Sequence, residues 1–236
     1  MATAALQEYR ASSSTVQALL TLEATYSDPP SSTERDVVEG LRGGSIVLMV
    51  AAFENYLKAS VAESLNRINA AQPSCDFSKL PVELQAQAVW TGLDYAMKRR
   101  PGDLADERAH RLPRVLSAAR RISSGELISD AVAQTSGNPK SGTVKAIYKN
   151  VGYSRTFSNI RPAFERSWGQ GEATTFIEDT LDTIVDKRHV VAHTASITTI
   201  SRSDLGTWHR FLDVLAPVLD AAVERHVTRL IAQAQP

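Results

Sequence analysis

Apolar positions recur at intervals of three and four along almost the whole chain, the spacing that lines one face of a helix. Ala, Leu, Glu, Arg and Gln, all good helix formers, fill much of the rest. The pattern predicts a first helix over 3–26, ended by Asp28-Pro29-Pro30-Ser31-Ser32. Proline cannot continue a helix, whereas Ser32 or Thr33 can cap the next one. A long helix follows over 34–71, with Ile46, Met49, Val50, Phe53, Leu57 and Val61 on one face and Gly43-Gly44 weakening its interior. Pro73 closes it. Further helices are expected over 80–100, stopped by Pro101-Gly102, and over 104–122, capped by Asp103 and broken or bent at Pro113. Shorter ones fit 126–134, 143–150 and 160–168, then a longer one 172–192. The last helix spans 203–232, with the stripe Trp208, Phe211, Leu212, Leu215, Leu219 and Ala222 and a bend at Pro217. Only 195–200 (Ala-Ser-Ile-Thr-Thr-Ile) is β-branched enough to be extended, and it is too short for a sheet. The expectation is an all-α bundle forming a single domain over 1–236. Its core helices are 34–72, 172–192 and 203–232, and 73–170 is a helical insertion.

Composition narrows the function classes. The chain has 236 residues, 43% of them hydrophobic, enough to bury a core. Its 26 Lys+Arg balance 26 Asp+Glu, which excludes a disordered, highly charged chain and a histone-like binder but leaves room for a local basic patch. A single cysteine, Cys75, excludes an internal disulfide or a cysteine-based zinc site. The N-terminus lacks a basic region followed by an apolar one, and the longest apolar run, 46–53, is far below the ~20 residues that span a bilayer. The reading is a soluble cytoplasmic protein with no membrane contact and no cofactor.

Candidate chemistry concentrates in Ile184-Val185-Asp186-Lys187-Arg188-His189-Val190-Val191-Ala192-His193-Thr194. At ~100° per residue, Leu181, Ile184, Arg188 and Val191 share a face, so Arg188 sits in an apolar stripe where an unpaired charge is unfavourable. Two readings stay open: a structural arginine with a buried acidic partner, or an arginine facing a cleft and ready for an anion such as phosphate. His193 would point roughly 140° away from Arg188 on an unbroken helix. Both reach one ligand only if the helix loosens near Ala192–Thr194 or if a second subunit contributes. Asp186, His189 and His193 share the opposite face, a geometry that could chelate metal, but the Glu of a zinc-protease motif is missing and His110, His209 and His226 are distant in sequence. No metal site is assigned, and His226 reads as a satisfied core histidine.

Two other stretches have a functional and a structural reading. Lys98-Arg99-Arg100, Arg108, Arg111, Arg114, Arg120 and Arg121 form either a solvated helix face or a track for phosphates. Gly137-Asn138-Pro139-Lys140-Ser141-Gly142-Thr143 mimics a phosphate-binding loop but lacks a lysine directly after the second glycine and a preceding strand, so it reads as an ordinary loop.

The run Arg188-His189-Val190-Val191-Ala192-His193 resembles the Arg-x4-His motif of HEPN domains, a helical nucleotide-binding superfamily. An amphipathic helix before it, a start capped at Ser203-Asp204 after it, and a long final helix match the family context. The segment 45–57 is similar to the helix that carries an acidic residue in prokaryotic members. The RiboL-PSP-HEPN-like branch fits best, with an insertion resembling Ser136-Gly137-Asn138 through Val151-Gly152. The resemblance implies metal-independent RNA cleavage at a homodimer cleft, with Arg188 and His193 catalytic, His189 as the motif's polar substrate-binding residue and Glu54 as a helper. Glu54 could equally pair with Lys58 on the surface. RNA is the implied partner, with a role as toxin or antiviral effector and an antitoxin or defence-system protein beside it. The alternatives are a catalytically silent HEPN module that binds nucleotide or a protein, and a metal-dependent helical hydrolase.

Overall fold

The computed structural model describes residues 2–72, 76–98, 108–133, 138–194 and 200–235. Those residues are helical almost throughout and include no strand. In chain order the helices are α1 (Ala4–Glu23), α2 (Arg35–Ala70), α3 (Val82–Met97), α4 (Arg108–Ser123), α5 (Ser129–Val132), α6 (Ser141–Lys149), α7 (Thr156–Trp168), α8 (Phe176–Thr194) and α9 (Arg202–Gln233), with a 3-10 turn at Phe77–Lys79. The all-α expectation therefore holds. The extended piece expected at 195–200 falls outside the described residues except for the buried Ile200, as do Pro73, Cys75, Pro101-Gly102 and Asp103.

The chain divides into two compact units. The first comprises Met1–Leu57, Ser136–Lys145 and Arg155–Ala222. Its core is the pair of stripes read from periodicity: Ile46, Met49, Val50, Phe53 and Leu57 on α2, and Trp208, Phe211, Leu212, Leu215, Leu219 and Ala222 on α9, all buried. The Tyr56 hydroxyl donates to the Ala216 carbonyl at 3.0 Å, pinning the two helices together. An aromatic cluster adds α7: Phe164 stacks on Trp168 at 5.8 Å and meets Phe211 edge-on at 5.6 Å, geometries that favour aromatic pairs beyond their buried area. Gly169, at φ 95°, ends α7 in the left-handed region that glycine enters without strain.

α1 lies along α9 through polar contacts. Thr3 bonds Asp220, while Tyr9 and Ser13 donate to Asp213 at 3.1 and 2.6 Å. At its C-terminus a buried ion network forms: Glu23, 1% exposed, accepts from Arg42 Nε and from Arg202 Nε, each at 2.7 Å. Arg42 also reaches Asp28 at 3.0 Å. Burial disfavours the Arg42 charge, but Asp28 and Glu23 outweigh it and hold the guanidinium above its ordinary pKa.

The start of α9 differs from expectation. Its cap is a reciprocal box: the Ser201 N–H donates to the Asp204 carboxylate at 3.1 Å and the Asp204 N–H donates to the Ser201 hydroxyl at 3.0 Å, so the helix begins at Arg202 in place of Ser203. Before α2, residues 32–34 form a turn, and Ser31 donates its N–H and hydroxyl to Glu34, so the helix begins at Arg35 without a cap from Ser32 or Thr33.

The second unit comprises Lys58–Thr135, Ala146–Ser154 and Val223–Pro236. Pro113 lies inside α4 and does not break it. Proline removes one helical hydrogen bond, and α4 is held from outside: Arg111 and Arg114 donate to the carbonyls of Met97 and Lys98 at 2.9 and 3.2 Å, capping the end of α3. The helix expected over 126–134 shrinks to α5. Asn69 takes both backbone groups of Leu127, at 2.9 and 2.7 Å, and Glu126 turns to Arg121 at 2.9 Å. His226 is the satisfied core histidine expected, with Nε2 3.0 Å from the Val151 carbonyl and its ring against Tyr153.

Candidate functional site

α8 carries the chemistry. Glu178 and Asp179 occupy its first turn and His193 its last, the charge order that complements a helix dipole. Leu181, Ile184 and Val185 are buried, and these apolar positions seat the helix in the first unit. At ~100° per residue, Glu178, Asp182, Asp186, His189 and His193 fall within one sector of about 80°.

That sector is met by a segment that the sequence marked as an ordinary loop. Lys145 bonds Glu178. Ser141 donates its backbone N–H and its hydroxyl to Asp182 at 2.6 and 2.9 Å, and Lys140 pairs with Asp186 at 2.5 Å. The hydrogen bond to Asp186 holds the Lys140 ammonium above its ordinary pKa. The segment thus runs antiparallel to α8 and engages Asp186, Asp182 and Glu178 in turn. α6 accordingly starts at Ser141, two residues before the expected start.

Asn138, at the far end of this strap, accepts a hydrogen bond on Oδ1 from Arg188 Nη1 at 3.0 Å. Arg188 is half-buried, and its Nε is buried with no hydrogen-bond partner among the described residues. This departs from both parts of the structural reading: the arginine is less buried than its stripe suggested, and its described partner is a neutral amide in place of an acid. The acids of α8 do not face it: at ~100° per residue Asp182 and Asp186 lie roughly 120° and 160° around the helix from Arg188, and Glu178 lies about three turns away.

His189 and His193 are exposed, one helical turn apart, with ring centroids 4.4 Å from each other. α8 stays helical through Thr194, so the loosening considered at Ala192–Thr194 does not occur within the described residues. Arg188 and His193 of one chain therefore remain on divergent faces. Asp186 shares the histidine face as expected but is tied to Lys140, and among the described residues no three His, Cys, Asp or Glu side chains gather into a metal-binding group. Glu54 is a half-buried residue of α2, and among the described residues no hydrogen bond or ion pair ties it to Arg188 or His193.

The basic stretch resolves towards its structural reading where it is described. Lys98 pairs with Asp94, Arg121 with Glu126, and Arg111 and Arg114 cap α3. Asn138 and Lys140 are the residues that sequence reasoning missed. Their partners lie some fifty positions away, and no local pattern announces such a pairing.

A family model described as RiboL-PSP-HEPN matches residues 11–225. The chain belongs to the RiboL-PSP-HEPN family. The match spans nearly the whole chain, including α8, the strap and α9 as far as residue 225, and agrees with the all-helical fold. Comparison with curated proteins and with solved structures gave no match. Among the described residues, no helix is long and apolar enough to cross a membrane.

Proposed function

We propose that this HEPN domain is a metal-independent endoribonuclease whose site is completed across a homodimer. The observation that carries the reading is the state of Arg188: a half-buried guanidinium whose described partner is an amide oxygen, with no carboxylate paired to it among the described residues. A charge left uncancelled in this way is suited to an anion, and a guanidinium offers phosphate a planar fork.

RNA brings its own nucleophile, the 2′-hydroxyl. His193, exposed at the end of α8, takes or supplies a proton as that oxygen attacks the adjacent phosphorus. Arg188 stabilises the charge that accumulates on the phosphorane oxygens. The P–O5′ bond breaks, leaving a 2′,3′-cyclic phosphate on one fragment and a 5′-hydroxyl on the other. His189 contacts the substrate beside His193, and Glu54 assists from α2. Because Arg188 and His193 diverge on a continuous helix, a two-fold pairing that sets Arg188 of one protomer against the partner's His193 supplies both groups to one phosphate. In a cell, such an activity fits a toxin or antiviral effector held in check by a partner protein.

The test is incubation of the purified protein with total RNA in EDTA, followed by end-group analysis. Cyclic phosphate and 5′-hydroxyl ends are expected. Intact RNA, or 5′-phosphate ends, would contradict the reading.

A further inference from the structure

The Arg188 side chain is placed by a residue from outside its own helix. Arginine has several rotatable bonds, and a charge-assisted hydrogen bond at one end removes much of that freedom. Asn138 supplies the bond, with Oδ1 3.0 Å from Nη1. The carrier of Asn138 is itself fixed. Pro139 beside it is buried and has a locked φ, and Lys140, Ser141 and Lys145 anchor the adjoining stretch of chain to Asp186, Asp182 and Glu178.

The chemistry of the contact matters as much as its position. A carboxylate at 138 would grip the guanidinium more firmly, but it would also cancel the charge and compete with an incoming phosphate. An amide oxygen orients the group and leaves its charge available.

Resting on the phosphate-binding reading of Arg188, we propose that Asn138 is a positioning residue. It holds the Arg188 guanidinium in the orientation that meets the scissile phosphate without neutralising it. The strap 138–145 is then part of the nuclease site, although none of its residues takes part in proton transfer.

Asn138→Asp separates this role from a structural one. A merely structural contact would be strengthened by the new charge, raising stability and leaving activity intact. The positioning role requires the opposite pairing of results: a melting temperature at or above wild type together with loss of RNA binding and cleavage. The expected loss is about 10²-fold in cleavage, the scale produced when a reacting or charge-bearing group is displaced by an ångström. Asn138→Ala should lose rate through the freed side chain, and both substitutions should have no further effect in an Arg188→Ala background.

The experiment measures binding and cleavage of one labelled RNA in EDTA, with melting curves, for wild type, Asn138→Asp, Asn138→Ala, Arg188→Ala and the two double variants. Wild-type binding and cleavage in Asn138→Asp would overturn the proposal, as would an Asn138→Asp protein that melts well below wild type. If the wild type binds RNA without cutting it, the nuclease reading fails alone. The positioning role is then decided by whether Asn138→Asp loses that binding. If the wild type neither binds nor cuts RNA, both fail.

Discussion

Arg188 Nη1 donates to Asn138 Oδ1 across 3.0 Å, and among the described residues no carboxylate is bonded to this guanidinium. A cation held by a neutral amide from outside its helix keeps its charge for an anion, and that sets the expectations for the site.

His193→Ala should lose most of the cleavage rate while RNA still binds, since general acid–base catalysis contributes about 10²–10⁴-fold. His193 is exposed at the end of α8, so its removal leaves the core untouched and the melting temperature should stay within a degree or two of wild type. Single-turnover cleavage measured beside equilibrium binding checks this. A parallel fall in affinity and rate would reassign His193 to substrate binding.

Arg188→Ala should weaken RNA binding and also slow cleavage, because the contact forms in the complex and strengthens as phosphorane charge develops. Arg188→Lys restores the charge but not the bidentate fork, so recovery should be partial. Titrating the labelled RNA at several salt concentrations reads the loss of one phosphate contact as a shallower salt slope. Equal recovery by lysine would show that charge alone matters.

The buried network around Glu23 makes a stability prediction. Glu23→Ala leaves Arg202 without its carboxylate and Arg42 with Asp28 alone, and removing one partner of a buried pair costs about 3–5 kcal/mol. Chemical denaturation should show that loss at constant m-value. A change below about 1 kcal/mol, the scale of an exposed pair, would mean that water replaces the lost partner.

His226 makes a prediction about pH. Burial lowers its pKa, the hydrogen bond to the Val151 carbonyl opposes that shift, and the charge of Arg229 adds to it. The folded pKa then lies below the unfolded value of about 6.5, so the unfolded chain binds the extra proton first as pH falls. The His226 contribution is complete above the unfolded value and is lost progressively as pH drops through the window down to the folded pKa. His226→Gln should flatten the dependence of unfolding free energy on pH in that window. An unchanged slope would assign the dependence to other groups.

The parts of the fold that were legible in the sequence are those governed by periodicity. The stripes on α2 and α9 came through residue for residue because burying one face of a long helix is a local rule repeated many times. Of the break or bend expected at Pro113, the break does not occur: α4 runs through it, and Arg111 and Arg114 bridge to the end of α3. The candidate site was half legible. Arg188, His189 and His193 stood out as residue types at a spacing. The strap did not, since Ser141 and Asp182 are 41 positions apart and their complementarity exists only once the chain is folded. Of the two readings left open for Arg188, a buried acidic partner is not what the described residues supply: the acids of α8 lie on another face, and Asn138 reaches the guanidinium from fifty positions away.

The measurement that tests the account most directly is complementation between two inactive variants. If each phosphate is met by Arg188 of one protomer and His193 of the other, a dimer of one Arg188→Ala chain and one His193→Ala chain holds one intact composite site and one with neither group. Each variant alone should be inactive on labelled RNA in EDTA. Mixing them under conditions that exchange subunits should restore about a quarter of wild-type activity, since random pairing makes half the dimers mixed and each mixed dimer keeps one of its two sites. No recovery in a mixture whose exchange is verified would contradict a site shared across the two-fold.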